Sequence, residues 1–414
     1  MSLLNHRGFR YLWVAQTASQ FGTYVSRIAV PLVAATSLAA SPFEIGAVYA
    51  TQTVAFLLIG LPAGVLVDRM PARAVMITCD VARALLLCSV PIAWWMGTLT
   101  LAQLLIVTLV GGFAAVFFDV AYQSYLVPLV GQENLLEGNA RLESSRSASQ
   151  VAGPAAGGGL ADLLSAANAV GIQALCYLVS ALSLSRIRDE GVAKPQPRER
   201  KPMVAEVLAG LRYVLGDRSM RAITACSATF NFFYAVASPL LVVLLVDDLQ
   251  QPEWSVGVLM AFGGIGGLVG AMTTTKVSRA LGGARVLWLA FAVCMPFGLL
   301  IPFSTAGWGT LLFALPWFVV NYGLIVYNVA QISFRQSVCP PEMMSRMNAT
   351  VRFMIWGTIP LGGLIGGSIG EWVGVRAGIA TAAVGMLLSV VWVLASPLRP
   401  LRDLPTPQSE KENA

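Results

Sequence analysis

Twelve stretches of this chain are long and apolar enough to cross a bilayer as helices, and nothing else in it constrains the fold as much. They run over roughly 11–39, 43–67, 74–96, 100–126, 142–164, 167–186, 219–246, 253–275, 284–304, 308–334, 343–370 and 373–395. Hydrocarbon offers no water to satisfy backbone N–H and C=O groups, so each stretch must close its hydrogen bonds internally, as a helix does. The fold class is therefore an all-α polytopic membrane protein. Charged residues are 12% of the chain, about half the fraction found in soluble domains. Segments five and eleven are the least uniformly apolar, with Ser, Arg and Glu in their first turns. The first segment is too long for a signal-peptide core and lacks a cleavage site, so it reads as an uncleaved span.

Lysine and arginine set the expected orientation. With the N-terminus inside, the inner loops hold Arg69, Arg73, Arg141, Arg146, Lys276, Arg279, Arg285, Arg335 and Arg346. The termini add Arg7, Arg10, Arg399, Arg402 and Lys411, whereas the outer loops hold Asp247, Asp248 and Glu253 with Arg376 as almost their only cation. The positive-inside rule then puts both termini in the cytoplasm of a plasma (inner) membrane protein. Trp94, Trp95, Trp254, Trp308 and Trp372 fall near outer span ends, as interfacial anchors do. The net charge of +6 follows from this topology and does not point to nucleic acid.

The chain is written twice. NARLESSRSASQVAGPAAGGGLAD begins at Asn139, and NATVRFMIWGTIPLGGLIGGSIGE begins 209 positions later at Asn348. Gly153, Gly157 and Gly158 fall on Gly362, Gly366 and Gly367, and Asp162 falls on Glu371. Ser124-Tyr125 maps on Ser333-Phe334 at the same offset, Arg69 on Arg279 at 210, and Arg7 and Arg10 on Arg218 and Arg221 at 211. Six spans per half make the repeats parallel, about an axis along the membrane normal. The expected organisation is an N-terminal six-helix half (1–187), a cytoplasmic linker with an amphipathic helix (188–218), a C-terminal half (219–398) and a disordered tail (399–414). In the linker, Val204, Val207, Leu208, Leu211 and Leu215 form an apolar stripe at helical spacing, suited to the inner membrane surface.

The loop Gly64-Val-Leu-Val-Asp68-Arg69-Met-Pro-Ala-Arg73 resembles the signature G-x-x-x-D-R-x-G-R-R/K of the major facilitator superfamily, with Pro71 for the second glycine and Ala72 for a basic residue. Gly153-Pro154-Ala-Ala-Gly157-Gly158 resembles its antiporter motif, G-P-x-x-G-G, where glycines four apart allow close helix approach and Pro154 removes a backbone donor. The segments at 9–22, 117–130, 133–147 and 352–367 are similar to the drug:proton antiporter group that includes macrolide and siderophore exporters, and the resemblance covers nearly the whole chain. It implies a twelve-helix major facilitator fold, with Asp68, Arg69 and Arg73 as a cytoplasmic gate. Two departures stand out. Thr23 follows Gly22 where many relatives have Asp, and span four has no membrane-embedded arginine.

Charges inside a membrane cost about 2.5–3.5 kcal/mol each at a span centre, so each needs a partner or a task. The candidates are Arg27, Asp80, Arg83, Asp119, Glu143, Arg146 and Arg352. Asp80 and Arg83 are three apart on one helix and can simply pair. Asp119 lies about 9 Å inward of the centre of span four, and Arg27 sits outward of the centre of span one, so a direct pair would span about 12 Å of depth. Glu143, Arg146 and Arg352 are nearer inner helix ends, where snorkelling or gate pairing accounts for them. As the deepest acid on an expected cavity helix, Asp119 is the first candidate for proton coupling, followed by Asp80, with Arg27 completing the set. By the resemblance, spans one, four, seven and ten line the path with Tyr24, Phe118, Tyr122, Gln123, Asn231, Tyr234, Asn321, Tyr327 and Asn328. Aromatics with isolated amides suit a large, mostly apolar ligand, although each one singly also fits packing.

Enzymatic readings fail on chemistry. His6 is the only histidine, and the six cysteines lack metal spacing. Gly366-Gly-Ser368-Ile-Gly370 fits G-x-S-x-G but lies inside an apolar helix, and no nucleotide-binding G-x-x-x-x-G-K-[ST] loop exists. Asn348-Ala-Thr350 matches a glycosylation sequon on the cytoplasmic side. The expectation is a monomeric secondary transporter without metal or cofactor, embedded in lipid, binding no nucleic acid and exporting a hydrophobic or amphipathic small molecule against inward proton flow. A nutrient importer and a non-transporting sensor or scaffold are the alternatives.

Overall fold

The structure is a computed structural model that describes residues 6–67, 70–131, 135–187, 203–339 and 341–402. Among these the protein is helical from end to end. The first half contains α1 (Arg7–Leu32), α2 (Pro42–Val67), α3 (Ala72–Trp95), α4 (Leu101–Val130), α5 (Leu135–Leu164) and α6 (Ala166–Ser185). A connecting helix α7 (Met203–Gly216) precedes α8 (Arg218–Val243), α9 (Glu253–Leu281) and α10 (Gly283–Cys294), which runs on as a 3₁₀ segment to Phe303. Then come α11 (Leu311–Val338), α12 (Pro341–Trp356) with α13 (Ile359–Trp372), and α14 (Val375–Leu388) with the single turn α15 (Val391–Leu394).

Helix starts follow the local chemistry. The Glu44 carboxylate accepts from the Ser41 N–H at 2.8 Å while the Ser41 hydroxyl accepts from the Glu44 N–H, a capping box that opens α2. Asp217 caps α8 by accepting from the Met220 N–H at 2.7 Å. Among the described residues ten helical stretches are long and apolar enough to cross a membrane; α1 and α5 complete the twelve spans. Both carry many polar residues, and they pack on each other and, with α1, on α6, so much of their polar surface is shielded from lipid. Gln16, Ser19 and Ser26 of α1 are buried accordingly. Trp95, Trp254, Trp308 and Trp372 remain exposed, as interfacial anchors are.

Contacts divide the chain into two compact units, Met1–Arg198 with Leu245–Ala261, and Glu199–Leu244 with Phe262–Ala414. The segment Leu245–Ala261, which the sequence reading assigns to the second half, joins the first because Gly257 of α9 backs onto Pro154 and Gly158 of α5. The first unit has a core of Phe9, Leu12, Met76, Phe118, Tyr125 and Leu126. The second is built on an aromatic stack, Phe230 on Phe291 at 4.7 Å and Phe291 on Tyr327 at 4.2 Å.

The duplication is visible in detail. Both α1 and α8 end in a five-residue π turn, Val33–Ser37 and Leu244–Asp248, 211 residues apart in the sequence. Each turn is followed by a residue with positive φ, Ala39 and Gln250. Gly153 and Gly157 of α5 lie against Tyr24 and Val25 of α1, while Gly362 and Gly366 of α13 lie against Ala235 and Val236 of α8. A Cβ on Gly157 would come within 2.6 Å of the Val25 carbonyl, so these helices touch backbone to backbone, as small residues permit in membranes.

In the linker, 188–202 lies outside the described residues, as does 403–414 of the tail. Val204 and Val207 of the expected stripe have no described side chains. Leu208 and Leu215 are exposed on α7, while Val214 is buried against Met347 and Val351 of α12.

Candidate functional site

Among the described residues the most buried charges belong to α3. Arg83 donates through Nη2 to Asp80 one turn earlier, with Asp80 wholly buried and Arg83 only 5% exposed. The guanidinium also lies 4.6 Å from the ring centre of Phe118 on α4 and 4.1 Å from that of Tyr177 on α6. Such cation–π contacts strengthen when desolvated, and here they join three helices at one cation. The Tyr177 hydroxyl accepts from Gln173 Nε2 at 3.0 Å. It lies 3.1 Å from the Thr23 hydroxyl, which donates to the Ser19 carbonyl, so Tyr177 is the donor to Thr23. Asp80 Oδ2 has no hydrogen-bond partner; the Ser180 hydroxyl on α6 lies beside the carboxylate but outside bonding geometry.

Asp119 follows Phe118 on α4 and is half-buried. It is within electrostatic reach of Arg83 on one side and of Tyr122 and Arg146 on the other. Arg146 pairs loosely with Glu143 on α5 at 3.6 Å, and these side chains are 54% and 64% exposed. Arg146 also neighbours the Tyr24 hydroxyl, and the Arg27 guanidinium stacks on the Tyr24 ring at 4.7 Å. Asp80, Arg83, Asp119, Arg146, Tyr24 and Arg27 therefore form an array of successive electrostatic neighbours. Arg27 is exposed although it lies well inside its span. A charge facing lipid there would be costly.

The remaining expected site residues are distributed as follows. Asp68 and Arg69 lie outside the described residues. Arg73 holds its own half together, donating from Nε to the Leu184 carbonyl at 2.9 Å and from Nη2 to the Ser185 carbonyl at 2.6 Å, where it satisfies the last turn of α6. Gly153, Pro154, Gly157 and Gly158 are all buried. A Cβ on Gly158 would come within 2.6 Å of Gly257 Cα.

Among the expected path residues, Phe118 and Tyr327 lie in the cores of their own units. The Tyr327 hydroxyl is 2.8 Å from that of Ser227 and donates to the Ile223 carbonyl at 3.1 Å. Asn321 is buried; its Nδ2 donates to the Trp317 carbonyl at 2.8 Å and its Oδ1 accepts from Tyr234 at 3.4 Å. Tyr234 also stacks on Trp317 at 5.5 Å. Asn231 donates to the Ser227 carbonyl at 2.8 Å, leaving its carbonyl oxygen available. Tyr122 and Asn328 are half-buried, Gln123 is exposed, and Tyr24 is buried beneath Arg27. Sequence reasoning missed Gln173, Tyr177 and Ser180, and it noted Thr23 only as a departure from similar chains. The three on α6 recur at helical spacing in an otherwise apolar span, which is the signal that could have found them.

Comparison with known proteins agrees with this architecture. A family model described as transmembrane secretion effector, of the major facilitator type, matches residues 1–413. The chain is 25% identical over 369 residues to the multidrug efflux pump Tap of Mycolicibacterium fortuitum, covering 84% of this chain and 86% of that one. It is 25% identical over 407 residues to the enterobactin exporter EntS of Escherichia coli O1:K1 / APEC, covering 95% and 93%. The crystal structure of the nucleoside transporter NupG superimposes with a TM-score of 0.77 at 14% identity, covering 94% of this chain and 98% of that one. A bacterial homologue of the iron transporter ferroportin gives 0.74 at 15% identity, covering 95% and 99%. With twelve spans, two repeated six-helix halves and a family match along its length, the chain is a multi-pass membrane transporter belonging to the transmembrane secretion effector family of the major facilitator superfamily.

Proposed function

We propose that this transporter exports a hydrophobic or amphipathic small molecule by proton antiport, with the two halves alternating access to a central path. The observation that carries the coupling half of this reading is the array in the first unit. Asp119 is within electrostatic reach of both Arg83, which is buried, and Arg146, which is open to water. A carboxylate so placed can take a proton from water while its charge is felt in the helix interior. The second half carries no acid in the interior of its spans; Asp247, Asp248, Glu253 and Glu371 all lie at span ends. Asp119 is therefore the proposed exchanging group, Asp80 its buried companion, and Arg27 the outer end of the array. Substrate would meet Tyr122, Gln123, Asn231, Tyr234 and Asn328.

Export as the direction is supported by the multidrug efflux pump and the enterobactin exporter among the relatives. The lysine and arginine distribution supports a plasma-membrane protein with cytoplasmic termini. No cofactor beyond the proton gradient is needed, and a monomer surrounded by lipid suffices. The test uses vesicles of known orientation containing the purified chain and an amphipathic fluorescent dye. Transport should carry the dye toward the face opposite the termini and stop when a protonophore dissipates the gradient. Unchanged transport with the protonophore would rule out proton coupling. Normal transport by Asp119→Asn would remove that residue from the role.

A further inference from the structure

Arg83 serves two acids on different helices. Asp80, one turn before it on α3, forms the ion pair, and Asp119 on α4 lies within electrostatic reach of the same guanidinium. The two acids differ in access. Asp80 is completely buried and one of its oxygens has no hydrogen-bond partner. Asp119 is half-buried near Tyr122, Glu143 and Arg146, where charges are open to water. The cation between them is held in position by two aromatic rings, Phe118 on α4 and Tyr177 on α6.

Charge counting then matters. With both acids ionised, Asp80, Arg83 and Asp119 carry one net negative charge in a medium where neighbouring charges interact by kilocalories. A proton from water reaches Asp119 and leaves Asp80 with Arg83. We infer that Asp80 is a fixed counter-charge which, through Arg83, sets how tightly Asp119 holds its proton. Asp80 and Arg83 are then positioning residues for coupling as well as a structural pair. This rests on the reading of Asp119 as the exchanging group.

Among the described residues, the ionisable groups in this neighbourhood include Cys79 on α3, Tyr122 on α4, Glu143 and Arg146 on α5, Tyr177 on α6 and Tyr24 on α1. Helix α2, which packs on α4, offers none between Tyr49 and Val67.

The signs are determined by Coulomb's law. Neutralising Asp80 leaves Arg83 wholly to Asp119 and favours its ionised form, so protonation moves to lower pH. Removing both members of the pair takes one of the cations within reach of Asp119 away, and protonation moves to higher pH than in the wild type. The test is a pH-difference infrared titration of the full chain in lipid nanodiscs, following the carboxylic-acid carbonyl band that Asp119→Asn abolishes. In Asp80→Asn its midpoint should fall by about one pH unit or more. In Asp80→Asn/Arg83→Gln it should rise above the wild type. The double variant leaves no buried charge uncompensated, so it reports even where the single variant fails to fold. A band lost in Asp119→Asn but unmoved in the variants that fold would overturn the inference and leave Asp119 in its role. A titration in which Asp119→Asn abolishes no band would instead remove Asp119 as the exchanging group, and the inference with it.

Discussion

The hydroxyl of Tyr177 lies 3.1 Å from that of Thr23, which ties α6 to α1 beside the buried arginine. Thr23 occupies the place where many similar antiporters have an aspartate, and here it anchors a ring that stacks on Arg83. Hydrogen bonds between membrane helices average about 0.6 kcal/mol in double-mutant cycles. Thr23→Val and Tyr177→Phe should therefore couple by about that amount in thermal unfolding in detergent. Tyr177→Leu, which also removes the ring from the cation, should cost more than Tyr177→Phe. Equal losses from Phe and Leu would show that the ring contributes nothing to holding Arg83.

The Asp80–Arg83 pair has an asymmetric stability signature. Removing one partner of a buried ion pair leaves an uncompensated charge and costs about 3–5 kcal/mol, whereas replacing both can be close to neutral. Arg83→Gln and Asp80→Asn should each lower the unfolding temperature sharply, and the double variant should recover much of the loss. Additive losses in the double variant would mean that the two side chains do not act as a pair. This measurement concerns folding alone and is independent of any role in transport.

Much of this architecture could be read from the chain because membrane insertion writes itself into sequence. Apolar run length gave the spans, and the glycines of the repeat marked the contacts α5 makes with α1 and α13 with α8. The pairing of Asp80 with Arg83 followed from their three-residue spacing. What the sequence did not disclose was lateral. Nothing in three separate apolar spans indicates that Phe118 and Tyr177 converge on the same guanidinium. Depth along two helices likewise says nothing about the neighbours Tyr24 and Arg146. Phe118, Asn321 and Tyr327 were placed on the path by the helices that carry them, yet a helix that faces a path also has a face turned inward.

Three neighbouring positions on α5 separate packing from conformation. A Cβ at Gly157 would come within 2.6 Å of the Val25 carbonyl, and one at Gly158 within 2.6 Å of Gly257, whereas nothing lies within 4 Å of a Cβ at Gly159. Alanine at Gly159 should be neutral or stabilise by up to about 1 kcal/mol, the gain in helix propensity. Alanine at Gly157 or Gly158 should destabilise, because a backbone carbonyl or a second helix must move. Pro154→Ala keeps these contacts and restores an N–H. Unchanged dye export and unchanged proton leak in Pro154→Ala would assign the whole motif to packing.

Of the three charged gate residues, Arg73 is the one within the described residues, and two of its hydrogen bonds go to α6. Its two donors satisfy the Leu184 and Ser185 carbonyls at the end of α6. Lysine carries the charge but lacks the forked geometry needed to reach both. Arg73→Lys should therefore fray the end of α6, seen as faster amide hydrogen exchange over the residues just before Arg186. Exchange matching the wild type would show that charge alone suffices there and that the fork is dispensable.

The exposed charge on α1 makes a claim about water that labelling can check. Arg27 is open to its surroundings while Ile28 beside it is buried, and an arginine open to lipid at that depth would cost kilocalories. In a chain with its six cysteines replaced, Arg27→Cys should react readily with a small hydrophilic thiol reagent. Ile28→Cys should react slowly, because its side chain is enclosed by neighbouring helices. The reaction at position 27 should also slow in the presence of a transported amphipathic dye, since Tyr24 and Arg27 lie at the open end of the charge array. An unreactive thiol at position 27 would place that surface against lipid. The water-facing surface of the first unit would then begin no further outward than Arg146.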